Sequence, residues 1–379
     1  MKILVLNYEF PPLGGGAAPV SKELAIHMTQ KGHIVDVITM GFGELPAVEV
    51  IEKVRIFRLR CLRTRQSSCQ PWEQLTYLLA VKKFLKKHMI SNRYDICHCH
   101  FVIPTGEAAK YIKKKYGIPY IITAHGSDVE GHNTKKTTLI LHYFLRPFWR
   151  NIVDHAEIVI APSEYLKNKM ESNYPVMKYQ VIPNGIEIER FRSIADPSCK
   201  TNHILYMGRL QKAKNIQMIL LAAGKVDLQD WKIDIVGDGP YRCELESITE
   251  KLGLQKNVVF HGWVDSGSEE QISFFRKASL FISESHFESF GMSVAEAILS
   301  GCSILLSDIE AHRCLISENE CFTNADNIDE LAEKIRQYLN QEMKFQADPT
   351  QIERFSWEKI SESYEQVYLS CLKRYIPGD

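Results

Sequence analysis

The sequence holds no Asp-x-Asp triplet anywhere along its length. The paired-aspartate clamp that presses a divalent ion against a diphosphate is missing, so the chain is expected to work with no metal and no other cofactor. No Walker-type phosphate loop occurs either, which removes the P-loop mode of nucleotide binding. No apolar run approaches the ~18 residues of a membrane span. The apolar stretch Ile3 to Leu6 is too short for a signal peptide. Net charge is zero, with 46 Lys and Arg against 46 Asp and Glu. The ten cysteines show no regular spacing. Without a secretory signal they read as reduced thiols of a cytoplasmic protein rather than a disulfide framework.

What is present is ordinary in bulk and uneven in detail. At roughly 150 residues per domain, 379 residues predict two domains, each large enough to bury its own core. Hydrophobic residues at 45% and charged residues at 24% fit a soluble globular chain and exclude a disordered or fibrous one. The charge is polarised. Residues 1–180 carry 25 basic and 15 acidic side chains, and residues 181–379 carry 21 and 31. A basic first half fits an anionic partner there (membrane surface, phosphorylated substrate or nucleic acid) or a domain interface between opposite charges.

Short apolar runs alternate with helical patterns almost throughout. Strands are expected at Ile3–Asn7, Ile34–Met40, Val54–Leu59, Asp95–His100, Tyr120–Ala124, Ile158–Ala161 and Gln180–Ile182. Helical patterns run through Ser21–Lys31, Glu73–His88 and Gly106–Lys115. Nearly continuous apolar strands are those covered on both faces, which predicts a parallel, doubly wound α/β sheet. The pattern then restarts, with strands at His203–Met207, Lys232–Val236, Val258–His261, Leu280–Ser283 and Ser303–Leu306. Helices between them are expected at Asn215–Ala223, Tyr241–Leu252, Glu269–Lys277 and Ser293–Ser300. Pro183-Asn184-Gly185 punctuates the two halves as a hinge would. A helical tail runs from Trp357 to about Tyr375.

The tetrad Cys97-His98-Cys99-His100 looks like a metal site on paper. On a strand, however, successive side chains point to opposite faces, so the two cysteines and the two histidines separate. One strand cannot wrap all four around an ion, and the cysteines read as small buried hydrophobes.

Ligands of open α/β sheets sit beyond the carboxyl ends of the strands. After the first strand, Gly14-Gly15-Gly16 allows a close backbone approach to a ligand ahead of a helix. A dinucleotide fingerprint would need glycine where Pro19 stands, and Asp36 lies inside its strand rather than at its end. His125-Gly126-Ser127-Asp128 follows another strand: either a His and an Asp facing a cleft, or a capping Asp and a packed His. Arg209 and Lys214, five apart before a helix, form a site for a diphosphate. The turns at Gly237-Asp238-Gly239-Pro240 and Phe260-His261-Gly262-Trp263 line a base pocket or are plain surface turns. Glu288 in a loop and Glu296 on the following helix put two carboxylates around the amides of Ser289 to Met292. That combination can hold sugar hydroxyls with carboxylates and a phosphate with N–H groups.

In this order the motifs resemble the retaining glycosyltransferases of family 4, over essentially the whole chain. The pair Glu288 and Glu296 at their spacing is the most specific mark. Two departures stand out: Asn215 follows Lys214 where glycine is usual, and Glu187 stands where the hinge usually has aspartate. The resemblance implies the GT-B fold of two facing Rossmann-like domains with a cleft between them. It implies an acceptor domain over 1–182, a donor domain over 183–356, and a helix over 357–379 returning to the first. It further implies that Arg209 and Lys214 bind the donor diphosphate, Glu296 the ribose, and Glu288 the transferred hexose, with backbone of Phe290 and Gly291. His125 would sit beside the anomeric centre, and Gly15 and Gly16 near donor phosphate and acceptor; Gly237 and His261 would complete the donor site.

The reaction implied moves a hexose from a nucleotide diphosphate sugar to a sugar or lipid-linked acceptor hydroxyl with retention, and assigns no protein nucleophile. Polysaccharide or glycolipid assembly is the expected setting. A nucleotide-sugar epimerase on the same architecture would need no acceptor, which a donor-only assay separates. A non-enzymatic anion-binding protein has no use for two carboxylates in its site. Nucleic acid is not an expected partner. Arg55, Arg58, Arg60, Arg63 and Arg65, with Lys82, Lys83, Lys86, Lys87 and Lys113 to Lys115, form either a peripheral contact with the inner face of an anionic membrane or a solvated basic face.

Overall fold

The apolar runs pair into two sheets, one in each of two units. The first unit comprises Met1–Gly185 and the chain from Trp357 onward; the second is Ile186–Ser356. The structure, a computed structural model, describes residues 1–66, 68–131, 136–175 and 178–374, with backbone alone over 136–142. Tyr375, the expected end of the helical tail, lies outside the described residues.

The first sheet contains β1 (Lys2–Leu6), β2 (Ile34–Met40), β3 (Val48–Ile51), β4 (Val54–Leu59), β5 (Ile96–His100), β6 (Tyr120–Thr123), β7 (Val159–Ala161) and β8 (Tyr179–Val181). Their order is β3-β4-β2-β1-β5-β6-β7-β8. Every neighbour pair is parallel except β3 with β4. Ile3, Leu4 and Leu6 are wholly buried, as strands covered on both faces require. β3 was not expected: it is an antiparallel edge strand of four residues with Val48 and Val50 exposed.

The second sheet contains β9 (Thr201–Met207), β10 (Lys232–Val236), β11 (Val258–Gly262), β12 (Ala278–Ser283), β13 (Ser303–Ser307) and β14 (Phe322–Thr323). All pairs are parallel, in the order β11-β10-β9-β12-β13-β14. In each sheet the chain winds outward one way and then restarts the other way. The reversal falls between β1 and β5, and between β9 and β12. Adjacent strands at such a switch send their following loops apart and leave a crevice at their carboxyl ends.

The first helix spans Ala17–Gln30, four residues ahead of the expected start at Ser21. Pro19 explains the difference. It falls in the first turn, where its missing N–H has no helical partner to lose. The last helix, Trp357–Lys373, packs on Ala17–Gln30 and buries Trp357, Ile360, Tyr364, Val367 and Tyr368. His27 stacks on Trp357 at 5.5 Å, and His33 Nε2 meets Glu365 at 2.8 Å. Gly185 is required at its position: a Cβ there would lie 2.2 Å from the Trp357 indole.

Of the five clustered arginines, Arg58 and Arg63 are buried and Arg55 is half-buried on an internal carboxylate, which corrects the reading of all five as one surface patch. Arg55 grips the buried Asp36 through two bonds of 2.8 and 2.6 Å. Arg58 is buried and donates to the Pro11 carbonyl at 2.9 Å and to Glu49 at 3.1 Å. Arg63 donates to the carbonyls of Tyr8, Arg65 and Gln66. Arg60, Arg65, Lys114 and Lys115 stay exposed, and the helix Pro71–Ser91 adds a basic face of its own. Lys83, Lys86 and Lys87 are exposed there, in company with Trp72, Leu75 and Leu79, all more than half exposed. Among the described residues, no helix is long and apolar enough to cross a membrane.

Candidate functional site

In the second unit, the loops after β9 and β12 leave the switch point side by side. The Lys214 Nζ reaches Glu288 Oε2 at 2.5 Å, and Ser285 Oγ donates to Glu288 Oε1 at 2.8 Å. The His286 N–H donates to the Ala213 carbonyl at 3.1 Å, stitching the two loops together. Burial pushes the Glu288 carboxyl up, but the ammonium of Lys214 outweighs it and holds the group below its usual range. Asn215 adopts the left-handed conformation at φ 55, so the turn after Lys214 keeps the shape that glycine would give it. Asparagine tolerates that region better than other side chains. Its Nδ2 donates to the Ala325 carbonyl at 2.8 Å. Arg209 lies half-buried two residues past the end of β9.

Gly291, at φ 98, opens the helix Met292–Leu299. Phe290 is buried edge-on against Phe355, with ring centroids 5.1 Å apart. The N–H groups of Phe290 and Gly291 meet no protein acceptor among the described residues. One turn further on, Glu296 is buried and accepts from Gln271 Nε2 at 3.1 Å. Burial first, and the charge of Glu187 second, push its carboxyl up to about 8.

Gly237 and His261 have internal duties. A Cβ on Gly237 would lie 1.9 Å from the Gly208 carbonyl, and the Gly237 N–H donates to Gly262 at 2.7 Å. The glycine therefore allows two strand-end turns to touch. His261 Nε2 meets Asp234 Oδ1 at 2.7 Å, on a carboxylate that also holds His203 and Lys277.

Two residues of this region had no signal in the sequence. His312 is fully buried, its Nδ1 donating to the Ser307 carbonyl at 2.9 Å. Its ring lies near the Gly291 turn, where a Cβ would meet its Cδ2 at 3.7 Å. Glu284 is fully buried at the end of β12, accepts from Thr323 at 2.7 Å, and is pushed up to about 7 by burial.

In the first unit, Gly14 takes φ 96, and a Cβ there would strike the Glu9 side chain at 2.5 Å. The Gly15 N–H faces Glu9 Oε2 at 3.4 Å. Gly16 precedes the helix, and a Cβ on it would meet nothing within 4 Å. Asp128 is a tie: it accepts from the His125 N–H at 3.1 Å and from the Val102 N–H at 2.8 Å. The His125 ring stacks on His100 at 5.2 Å, and burial pushes its pKa down to about 3. The tetrad on β5 divides as strand geometry demands. Cys97 and Cys99 meet on one face at 4.0 Å between sulfurs, and His98 stacks on His100 at 4.5 Å on the other. No cluster of three metal-ligating side chains occurs among the described residues.

A lysine ammonium, open amides at a helix start and two carboxylates on either side of that start together suit a ligand that is anionic at one end and polyhydroxylic at the other. Known proteins agree with that chemistry. The sequence pattern described as Glycosyltransferase Family 4 matches residues 14–190, and that described as Glycosyl transferases group 1 matches residues 187–354. An uncharacterised glycosyltransferase of Methanocaldococcus jannaschii is 26% identical, over 97% of this chain and 98% of its own. The fold matches sucrose-phosphate synthase from Thermosynechococcus elongatus with a TM-score of 0.77 at 18% identity, covering 99% and 100% of the two chains. It also matches Alr3699/HepE of Anabaena, solved in complex with UDP-glucose, with a TM-score of 0.75 at 19% identity, covering 98% and 100%.

Proposed function

The chain belongs to the family-4 glycosyltransferases, enzymes of GT-B fold that use nucleotide-sugar donors, and from that premise we propose that it transfers a hexose with retention to an acceptor hydroxyl. Polysaccharide or glycolipid assembly is the setting we assign. We take residues 183–356 as the donor half and residues 1–182 as the acceptor half.

The ion pair between Lys214 and Glu288 carries the reading. With no donor bound, each neutralises the other. A diphosphate recruits Lys214 and Arg209 through charge-assisted bonds. Glu288 is then released to accept from hydroxyls of the hexose. The N–H groups of Phe290 and Gly291 add the partial positive charge of a helix start. Glu296, one turn along, takes the ribose hydroxyls, and His125 contacts the hexose near the anomeric carbon. Gly15 and Gly16 lie along the donor phosphate and the acceptor, while Gly237 and His261 support the nucleotide. Departure of the nucleoside diphosphate builds negative charge on its leaving oxygen, and preorganised cations stabilise it without reorganisation. Lys214 and Arg209 supply that charge, so no metal is needed.

A thermal-shift series tests the reading. UDP and UDP-glucose, with ADP and GDP for comparison, are added in the presence of a chelator. Ligand at about 100 times its Kd stabilises the fold by about 2.7 kcal/mol. Stabilisation by at least one nucleoside diphosphate in chelator, lost in Arg209→Ala, is expected. A shift that appears only with manganese would refute the metal-free reading, and no shift with any nucleotide would refute the donor assignment.

A further inference from the structure

His98, His100 and His125 form a ladder of three stacked rings at the carboxyl edge of the first sheet. His98 stacks on His100 at 4.5 Å and His100 on His125 at 5.2 Å, with the latter pair tilted by only 15°. The inner end is anchored. His98 meets the Tyr368 hydroxyl through Nδ1 and the Thr123 hydroxyl through Nε2, both at 2.8 Å. The outer end is joined by one hydrogen bond, His100 Nδ1 to His125 Nε2 at 3.0 Å. His100 Nε2 is buried and has no partner.

Those facts fix where the protons are. A bond between two ring nitrogens needs one N–H and one lone pair. If His125 donated from Nε2, neutral His100 would carry its only proton on its own Nε2. That would bury an N–H with no acceptor, which folded proteins rarely tolerate. If His100 donates from Nδ1, the orphan is a lone pair, the lesser penalty. A second proton on His100 is opposed by burial and by the adjacent rings of His98 and His125. Thr123, Tyr364, Tyr368 and Phe101 beside the ladder are neutral, and the Asp128 carboxylate accepts from the backbone N–H groups of His125 and Val102.

We infer that His100 is a positioning residue that locks His125 as the neutral Nδ1–H tautomer, so that His125 takes part in glycosyl transfer as a hydrogen-bond donor and not as a base. The Nε2 lone pair, the one site where a neutral ring of this tautomer could accept a proton, is already filled by the proton of His100. The tautomer follows from geometry alone. Only its part in the reaction rests on the assignment of His125 to the donor site.

The two layers are tested apart. Nitrogen-15 spectra of the full-length protein with labelled histidine report each ring's tautomer directly. His125 should show a protonated Nδ1 and a bare, hydrogen-bonded Nε2, unchanged between pH 8 and pH 5. A protonated Nε2, or titration within that range, would overturn the inference whatever the enzyme does. His100→Phe keeps the stack and removes the donor; His100→Asn keeps a donor near the place of Nδ1. Phenylalanine should free His125 to titrate and lower kcat on UDP-glucose by ~10-fold or more with donor KM little changed, and asparagine should restore both. Equal losses in the two variants would mean that His100 only fills space. If the wild type shows the expected spectrum but turns over no nucleotide sugar, the tautomer stands and the donor-site assignment of His125 falls.

Discussion

The two sheets are built on one plan, yet they bury opposite chemistries at their switch points. The first gathers histidines: His98 and His100 buried and His125 half-buried, all held neutral. The second gathers carboxyls: Glu284 and Glu296 pushed up by burial, and Glu288 held down by Lys214. Their helix starts differ in the same sense. The Gly15 N–H faces an internal carboxylate, Glu9, whereas the N–H groups of Phe290 and Gly291 are open. Common topology therefore fixes where a site can be, and the side chains at the strand ends decide which charge it can receive. The second unit sets a cation, Lys214, against one of those carboxylates. In the first, His98 and His125 are held by neighbours at the same edge.

The largest effect should come from removing that cation. Lys214→Ala and Arg209→Ala are each expected to lower kcat by roughly 10²–10³, because the bonds to the departing diphosphate strengthen in the transition state. Glu296→Ala should raise KM instead, since the ribose we propose as its partner is remote from the breaking bond. Steady-state kinetics with matched circular dichroism separates these outcomes. Wild-type kcat with raised KM in the lysine and arginine variants would reduce the pair to anchors.

An intermediate effect should appear as opposite pH dependences of the two units. His98 and His125 are near 3 in the folded chain, against 6.5 for an ordinary histidine. The unfolded chain binds protons that the folded one refuses, so this stability is full above 6.5 and is lost as pH falls toward 3. At pH 5 the loss is about 2 kcal/mol for each ring. Glu284 and Glu296, near 7 and 8 against 4.5, behave in reverse. Their contribution is full below 4.5 and is lost as pH rises through those values. Hydrogen exchange, converted to opening free energies, should show β5 and β6 weakening from pH 6.5 to 5 while β12 and β13 hold or gain. Glu284→Gln should stabilise the second unit by about 3 kcal/mol at pH 8 and leave it unchanged at pH 4. Parallel slopes in both units would erase the contrast.

The smallest effect concerns the outer face of the helix Pro71–Ser91, where we propose contact with an anionic membrane. Each lysine near such a surface contributes about 1 kcal/mol at most. Lys83→Gln with Lys86→Gln should weaken flotation with anionic vesicles several-fold, and Trp72→Ala should do so even at high salt. Turnover of a soluble donor should not change in either. Binding that ignores lipid charge would remove the idea.

Much of this organisation could be read from the chain. Ile34–Met40, Val54–Leu59, Lys232–Val236 and Glu269–Lys277 fall where their patterns put them. These are long, strongly patterned segments whose ends carry clear stop signals. β3 and β14 escaped because four and two residues at a sheet edge leave no period to detect. Strand alternation was enough to split Cys97 and Cys99 from His98 and His100. It could not pair His100 with His125, because that contact depends on β5 lying beside β6. Lys214 and Glu288 were each visible as motif residues. Their ion pair was not, since it exists only because β9 and β12 are neighbours. The bonds of Arg55 to Asp36, Arg58 to Pro11 and Arg63 to Tyr8 were hidden for a similar reason: those acceptors lie on other segments of the first unit.

The second unit interrupts the first, because the chain leaves it at Gly185 and rejoins it at Trp357. Birth on the ribosome therefore reverses the written order. The 186–356 unit has all of its residues in hand before the first has its last helix. Until that helix emerges, His98 waits without Tyr368, a partner 270 residues downstream, and the surface meant for Trp357 stays wet. A chain released just short of residue 357 should show a protease-resistant second unit joined to a first unit that is still open to cleavage.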